Sequence, residues 1–236
     1  MSHSQRFPGD LPRRAWLGGG LALAAASALP RDLRAAPPSD PDAQRLANRL
    51  ELWQTFARNS ETLVARYHSR RESSLLEEAL VTDGNLAFSA PNDLVFVDDG
   101  FGGAATRMTA DRTTIKARQA EALAHEFAHA ERPGLQWLAR RLHILFAPAR
   151  AGEGLIDGVR SEVPKGRTLR LTLMPRRDDP ARLELRSLTI TFDPVGGAPL
   201  RLEIAHAQGD QHRLDLSDHR QKVRGDELDR WMGEFG

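Results

Sequence analysis

The sequence predicts an α+β protein, mainly antiparallel β, in which helices cover the concave face of a curved, unclosed β-barrel. Two observations lead to this prediction. Short segments that alternate apolar and polar residues follow one another with tight turns between them, which is typical of an antiparallel meander. Two other stretches follow the helical period, one before the strands and one between two groups of strands. Helices in those places can fill the concave face of a bent sheet.

The first element of this domain is predicted to be an amphipathic helix over residues 43–57. Its apolar residues Leu46, Leu50, Trp53 and Phe56 recur close to every third or fourth position. That spacing places them on one side of a helix, so this side is expected to face the sheet.

Four to six strands are expected after this helix. Residues 61–73 alternate with period two, and residues 78–89 are predicted to be a hairpin that turns at Asp83-Gly84-Asn85. Residues 93–99 are apolar on both faces, and residues 106–118 give two more short strands.

Helical periodicity returns over residues 117–147, where Pro133-Gly134 divides the stretch into two predicted helices. The last third alternates again, except that Leu185 and Leu188 break the phase near Arg186-Ser187, which predicts a β-bulge. The remaining expected elements are strands near residues 169–173, 183–192, 200–204 and 214–216, and a short closing helix over residues 226–235.

Residues 1–36 have the composition of an export signal. Their apolar run, residues 17–29, is shorter than the roughly 20 residues that cross a bilayer. Arg13 and Arg14 precede it in the pattern of a twin-arginine signal, although a general secretory signal with paired arginines fits as well. We therefore expect residues 1–36 to be a signal peptide, residues 37–236 to be a single domain that does not span a membrane, and the location to be the periplasm.

Composition excludes several classes of function. The formal net charge is +1 and aromatic residues make up 6%, which argues against a nucleic-acid partner. The chain has no cysteine, so disulfides, thiolate metal sites and a cysteine nucleophile are excluded.

One motif suggests an enzyme. His125-Glu126-Phe127-Ala128-His129 matches H-E-x-x-H, which on a helix places two imidazoles on one face to share a zinc ion beside a glutamate base. The extended form of the motif fails, because Arg132 and Leu135 occupy its glycine and third-histidine positions. A zinc-dependent hydrolase that uses His125, Glu126 and His129 is therefore the alternative function.

A second set of residues resembles a known family. Three segments carry the resemblance: the pair Leu75-Leu76, the strand Gly84-Asn85-Leu86-Ala87-Phe88 and the segment Pro91-Asn92-Asp93-Leu94. They look like the corresponding segments of the LolA family, the periplasmic carriers of outer-membrane lipoproteins, and more narrowly of its divergent LolA-related branch. The resemblance extends over residues 43–223. Typical carriers place an arginine that latches the lid immediately before this proline, and here the position is Ala90, which leaves another amphiphile such as a glycolipid open as cargo.

The resemblance implies an apolar cavity, closed by the helices, that carries acyl chains of a lipoprotein or lipid towards the outer membrane. It implies no enzyme activity, no catalytic residue, no metal and no cofactor. Inner- and outer-membrane proteins would hand the cargo over, and we expect a monomer. An interaction module with a filled core and no ligand is a further alternative. The expected cavity residues are Leu86, Phe88, Leu94, Phe96, Leu138, Leu142, Phe146, Leu171, Ile190 and Leu202.

Overall fold

The computed structural model describes residues 41–100, 103–117, 125–147, 154–162 and 170–235. In these residues eleven antiparallel strands form one sheet. The elements are α1 (Pro41–Arg58), β1 (Thr62–Glu72), β2 (Leu80–Ser89), β3 (Asp93–Asp98), β4 (Ala104–Met108), β5 (Arg112–Ala117), β6 (His125–Ala128), α2 (Pro133–Phe146), β7 (Arg160–Glu162), β8 (Arg170–Met174), β9 (Leu185–Phe192), β10 (Pro199–His206), β11 (Gln211–Gln221) and α3 (Gly225–Met232).

The strand order is β6-β5-β4-β3-β2-β1-β11-β10-β9-β8-β7. The chain therefore builds one half of the sheet outwards from β1, reaches the opposite edge after α2, and returns inwards to β11. The first and last strands pair with each other at the centre of the sheet. The edges β6 and β7 do not pair, so the sheet is unclosed and the predicted fold class is confirmed.

Helices α1 and α2 cover one face of the sheet, which we call the inner face. Trp53 and Phe56 of α1 and Leu142 and Leu145 of α2 belong to the same hydrophobic core as the inward side chains of the strands. Gly197, in the turn between β9 and β10, lies directly against α1, because a Cβ there would be 2.2 Å from the carbonyl oxygen of Leu52. The predicted amphipathic helix over residues 43–57 is confirmed.

The indole of Trp53 joins the two helices. Its Nε1 donates a hydrogen bond of 2.7 Å to the carbonyl oxygen of Leu145, and the side chain is 1% exposed. This carbonyl lies in the last turn of α2, where main-chain acceptors have no partner within the helix.

We expect Trp53→Phe to lower the free energy of unfolding by about 1–3 kcal/mol, because it leaves a buried acceptor unsatisfied and reduces the buried volume. Urea unfolding followed by circular dichroism measures the change. Trp231→Phe is the matched control, since Trp231 is only partly buried. Equal effects of the two substitutions would contradict the role given to the indole.

The outer face is covered over β1 to β4 by α3. Leu228 packs on Val64 and Ala87, and Trp231 and Met232 contact this cluster and its neighbour. The neighbouring cluster on β3 and β4 consists of Val95, Val97 and Ala105. This packing explains why residues 93–99 are apolar on both faces, and it confirms the predicted closing helix.

Two local predictions about strands 183–192 and 200–204 have different outcomes. Ser187 pairs with Ala205 whereas Leu185 pairs with His206, so β9 has an extra residue at Arg186 and the predicted bulge is confirmed. Leu200, expected to share a face with Leu202, is exposed instead, because the pairing of β10 with β9 shifts between Pro199 and Arg201.

The turn predicted at Asp83-Gly84-Asn85 is wrong. Strand β2 runs through these residues without a break, and Gly84 pairs with Tyr67 of β1. A Cβ at Gly84 would lie 2.4 Å from Cζ of Tyr67, so the glycine makes room for the phenol ring. The residue is a glycine because of this close approach within the sheet, and no reversal of the chain is involved.

The helix predicted over residues 117–131 is also wrong where the structure describes it. His125–Ala128 forms strand β6, which pairs with β5, and His129–Glu131 forms one 3-10 turn. Residues 118–124 lie outside the described residues. The second predicted helix is confirmed as α2, which begins at Pro133.

The predicted signal peptide, residues 1–36 with Arg13 and Arg14, lies outside the described residues and stays a prediction. Among the helices that the structure does describe, none combines the length and the apolar character needed to cross a bilayer.

Candidate functional site

Two adjoining cavities lie between α2 and the inner face of the sheet. Their volumes are about 260 Å³ and about 410 Å³. Arg71, Thr106, Met108 and Leu138 line both of them, so the two cavities are neighbours. We call the two cavities together the groove, and we name them the small and the large cavity.

The small cavity has a mostly apolar wall. Alternate residues of β10 and β11 point inwards, which places Leu202, Ile204 and Leu214 there, and α2 contributes Leu138 and Leu142 from consecutive turns. The alternation of the strands thus places apolar side chains on the wall that the sheet forms, and the 3.6-residue helical period places them on the wall that α2 forms. Phe96, Met108, Leu80 and Tyr67 complete the apolar wall.

The large cavity is more polar. Its apolar wall residues include Met108, Ile115, Phe127 and Leu135. Its charged and imidazole wall residues are Arg71, Arg132, Glu184, His206 and Asp210. A molecule that fills the whole groove would therefore have an apolar part and a polar part.

The apolar wall continues to the protein surface. Leu80 lines the small cavity and is 56% exposed, and Ile115 lines the large cavity and is 36% exposed. Leu75, in the loop between β1 and β2 beside Leu80, is 90% exposed. Each of the two cavities therefore has a partly exposed apolar side chain on its wall.

The ten residues predicted as cavity lining fall into two groups. Phe96, Leu138, Leu142 and Leu202 line the groove. The other six are buried in the hydrophobic core next to it: Leu86, Phe88, Leu94, Phe146, Leu171 and Ile190. The structure thus brings all ten to the inner face and places four at the groove wall.

Sequence reasoning missed several wall residues. Ile204 and Leu214 belong to the alternating pattern of β10 and β11, which could have identified them. Tyr67 belongs to the alternating pattern of residues 61–73 as well, whereas Met108 ends β4 and has no such pattern around it.

Polar side chains meet at one end of the small cavity. His212 Nε2 is 2.8 Å from Ser69 Oγ, and the Tyr67 hydroxyl donates a hydrogen bond of 2.5 Å to Asp98 Oδ1. Burial, together with the positive charges of Arg71 and His206, lowers the pKa of His212 to about 4. The pKa of His206 is also lowered, by burial first and then by Arg71. Both imidazoles are therefore neutral at neutral pH.

A third cavity, of about 720 Å³, lies on the other side of α2. Arg140, Arg141, His143 and Asp179 are among its wall residues. These side chains interrupt the apolar surface that a hydrocarbon chain requires, so the small cavity is the better candidate for an apolar ligand.

The H-E-x-x-H residues are not arranged as zinc ligands. His125 and Glu126 are exposed on edge strand β6, whereas His129 is 2% exposed. Both ring nitrogens of His129 have partners: Nε2 lies 3.0 Å from Thr113 Oγ1 and Nδ1 lies 3.3 Å from the carbonyl oxygen of Ala110. Among the residues that the structure describes, no group of three or more histidine or acidic side chains could hold a metal ion. His125 and His129 therefore do not share one face of a helix, which the zinc-hydrolase alternative requires.

Comparison with known proteins gives matches among solved structures. No family model matches the chain, and no curated protein matches its sequence. Solved structures do match. A LolA superfamily protein from Nitrosomonas europaea is 9% identical, with 77% of this chain and 96% of that chain covered and a TM-score of 0.40.

Two further solved structures have comparable scores. A DUF1329 family protein from Desulfovibrio piger is 9% identical, with 81% of this chain and 97% of that chain covered and a TM-score of 0.43. The lipoprotein LppX from Mycobacterium tuberculosis is 14% identical, with 76% of this chain and 95% of that chain covered and a TM-score of 0.37. These matches include a LolA superfamily protein, the family that the sequence resembles.

Proposed function

We propose that this protein is an exported carrier that binds acyl chains of a lipid or lipoprotein in the groove and carries them through the periplasm towards the outer membrane. The observation that carries the proposal is an apolar space beneath α2 that opens to the surface at Leu80 and Ile115. The signal-like residues 1–36 support export. Cargo would arrive from and leave to membrane proteins, without bond cleavage.

Burial of an acyl chain in the groove provides enough free energy to hold it without a covalent bond. Each methylene group withdrawn from water contributes about 0.8 kcal/mol, so ten buried methylenes would contribute about 8 kcal/mol before the cost of ordering the chain. The two parts of the groove are close in volume to the smaller ligand pockets of proteins, which begin near about 300 Å³. One or two acyl chains are therefore a suitable load.

The direct test is mass spectrometry of organic extracts from protein purified from the periplasm of its native cells. Co-purified lipid, together with saturable binding of a fluorescent fatty acid in vitro, would support the proposal. Protein that carries no lipid and binds no fatty acid would overturn it.

A blocked groove should stop binding. We expect Leu142→Trp to weaken fluorescent fatty-acid binding at least tenfold, because the indole would occupy the small cavity that Leu142 lines. Val195→Trp is the matched control, since Val195 is 84% exposed in the turn between β9 and β10. If Leu142→Trp fails to fold by circular dichroism, Leu142→Phe replaces it as the milder variant. Unchanged binding in a folded Leu142 variant would place the ligand elsewhere.

A further inference from the structure

We propose that the cargo carries an anionic group, a carboxylate or a phosphate, and that Arg71, which lines both the small and the large cavity, binds this group. The inference rests on the proposed carrier function and adds the chemical class of the ligand. Its basis is the position of one cation relative to the apolar wall.

Arg71 stands near the end of β1, beside Leu80 of β2 and His212 of β11 in the register of the sheet. It is exposed, and it lines both cavities. A head group at Arg71 would leave an acyl chain free to extend along Leu142 and Leu202 in the small cavity.

The charge of Arg71 is not neutralised by its neighbours. Arg132 pairs with Glu184 at 3.8 Å. The carboxylate of Asp98, which also lines the small cavity, accepts hydrogen bonds from the Tyr67 hydroxyl and the main-chain N–H of Ala104. Within the described part of the chain Arg71 makes no salt bridge, in contrast to the adjacent Arg70, which donates to Glu72 at 2.8 Å.

The remaining groups around Arg71 do not replace an anionic ligand. His206 and His212 are neutral at neutral pH and supply no countercharge. Asp210 lines only the large cavity and forms no salt bridge among the described residues, so its carboxylate lies more than 4 Å from the guanidinium of Arg71. The small cavity therefore has on its wall a guanidinium whose donors can form paired hydrogen bonds with a carboxylate or phosphate.

The experiment compares three probes with the same twelve-carbon chain: dodecanoate, dodecyl phosphate and dodecanol. Each displaces a fluorescent fatty acid from the full-length mature protein at pH 7.5. We expect at least one of the two anions to bind about tenfold more tightly than the alcohol, and the tighter of them identifies carboxylate or phosphate as the preferred head group.

Arg71→Gln should remove this preference by weakening anion binding about tenfold while leaving the affinity for dodecanol unchanged. Arg71→Lys should restore part of it, because the charge returns without the paired donors. Arg70→Gln is the matched control, since that side chain is engaged with Glu72. Asp210→Asn should leave anion binding equal or stronger, because it removes a nearby negative charge.

The outcomes separate this inference from the proposed function. Equal affinity of the wild-type protein for all three probes would overturn the assignment of an anionic cargo and leave the carrier function standing. Loss of dodecanol binding in a folded Arg71→Gln variant, or weaker anion binding in Asp210→Asn, would also overturn it. Failure of all three probes to bind would instead contradict the carrier function itself.

Discussion

Replacing Gly84 with alanine is expected to lower the free energy of unfolding by about 3 kcal/mol. The added Cβ would lie 2.4 Å from Cζ of Tyr67 and 2.4 Å from the carbonyl oxygen of Val97. Neither neighbour can move easily, because Val97 is part of the β2–β3 ladder and the Tyr67 hydroxyl is hydrogen-bonded to Asp98. Overpacking of this kind costs about 1–3 kcal/mol, and more where main-chain atoms must shift.

Urea denaturation followed by circular dichroism measures this loss. Gly233→Ala is the matched control, because a Cβ there meets no atom within 4 Å. We expect its effect to stay within about 0.5 kcal/mol, as for other substitutions in open positions. A Gly84→Ala protein as stable as the control would mean that Tyr67 does not pack over the glycine.

Acid is expected to destabilise the protein strongly between about pH 6.5 and pH 4. Burial, the largest cause at each site, lowers the pKa of His143, His206, His212 and His219. The unfolded chain therefore binds more protons than the folded chain in this range, and stability falls as the pH falls. Above about pH 7 these groups are neutral in both states and contribute no pH dependence.

The single largest contribution should come from His212, whose pKa falls from 6.5 to about 4. This shift corresponds to at most about 3 kcal/mol, with solvent screening reducing the value. The measurement is the difference in unfolding free energy between pH 7.5 and pH 4.5. We expect His212→Gln to reduce that difference, and His125→Gln, at an exposed position, to leave it unchanged. A difference unaffected by His212→Gln would show that other groups cause the acid sensitivity.

Sequence periodicity predicted most of the fold because each strand carries its own pattern. The spacing of Leu185 and Leu188 even located the bulge at Arg186. The prediction from sequence was wrong where the same local pattern can have two physical causes. A glycine between Asp83 and Asn85 is typical of a turn, but here it accommodates an aromatic ring of the neighbouring strand. Local spacing cannot distinguish a glycine required by a turn from a glycine required by a close approach.

The candidate site was predictable only in part. Leu142 and Leu171 are equally apolar, yet Leu142 lines the groove and Leu171 is in the filled core. A local pattern indicates which side chains face inwards, but it does not indicate where the packed layers leave a space between them. The role proposed for Arg71 could not be predicted from the sequence, because it depends on the position of this side chain on the walls of two cavities and on the absence of a salt bridge among the described residues.

The adjacency of β1 and β11 has a consequence for how the molecule acquires its structure. The hydroxyl of Thr62 donates to the carbonyl oxygen of Val223, 161 residues later in the chain. The hairpins within each half of the sheet can form as soon as they are synthesised. The pairing of β1 with β11, which joins the two halves, can form only after the last strand has been synthesised. Such distant pairing slows folding and leaves two bare strand edges exposed meanwhile. Newly made chains should accordingly depend on chaperones until their C-terminal segment is complete.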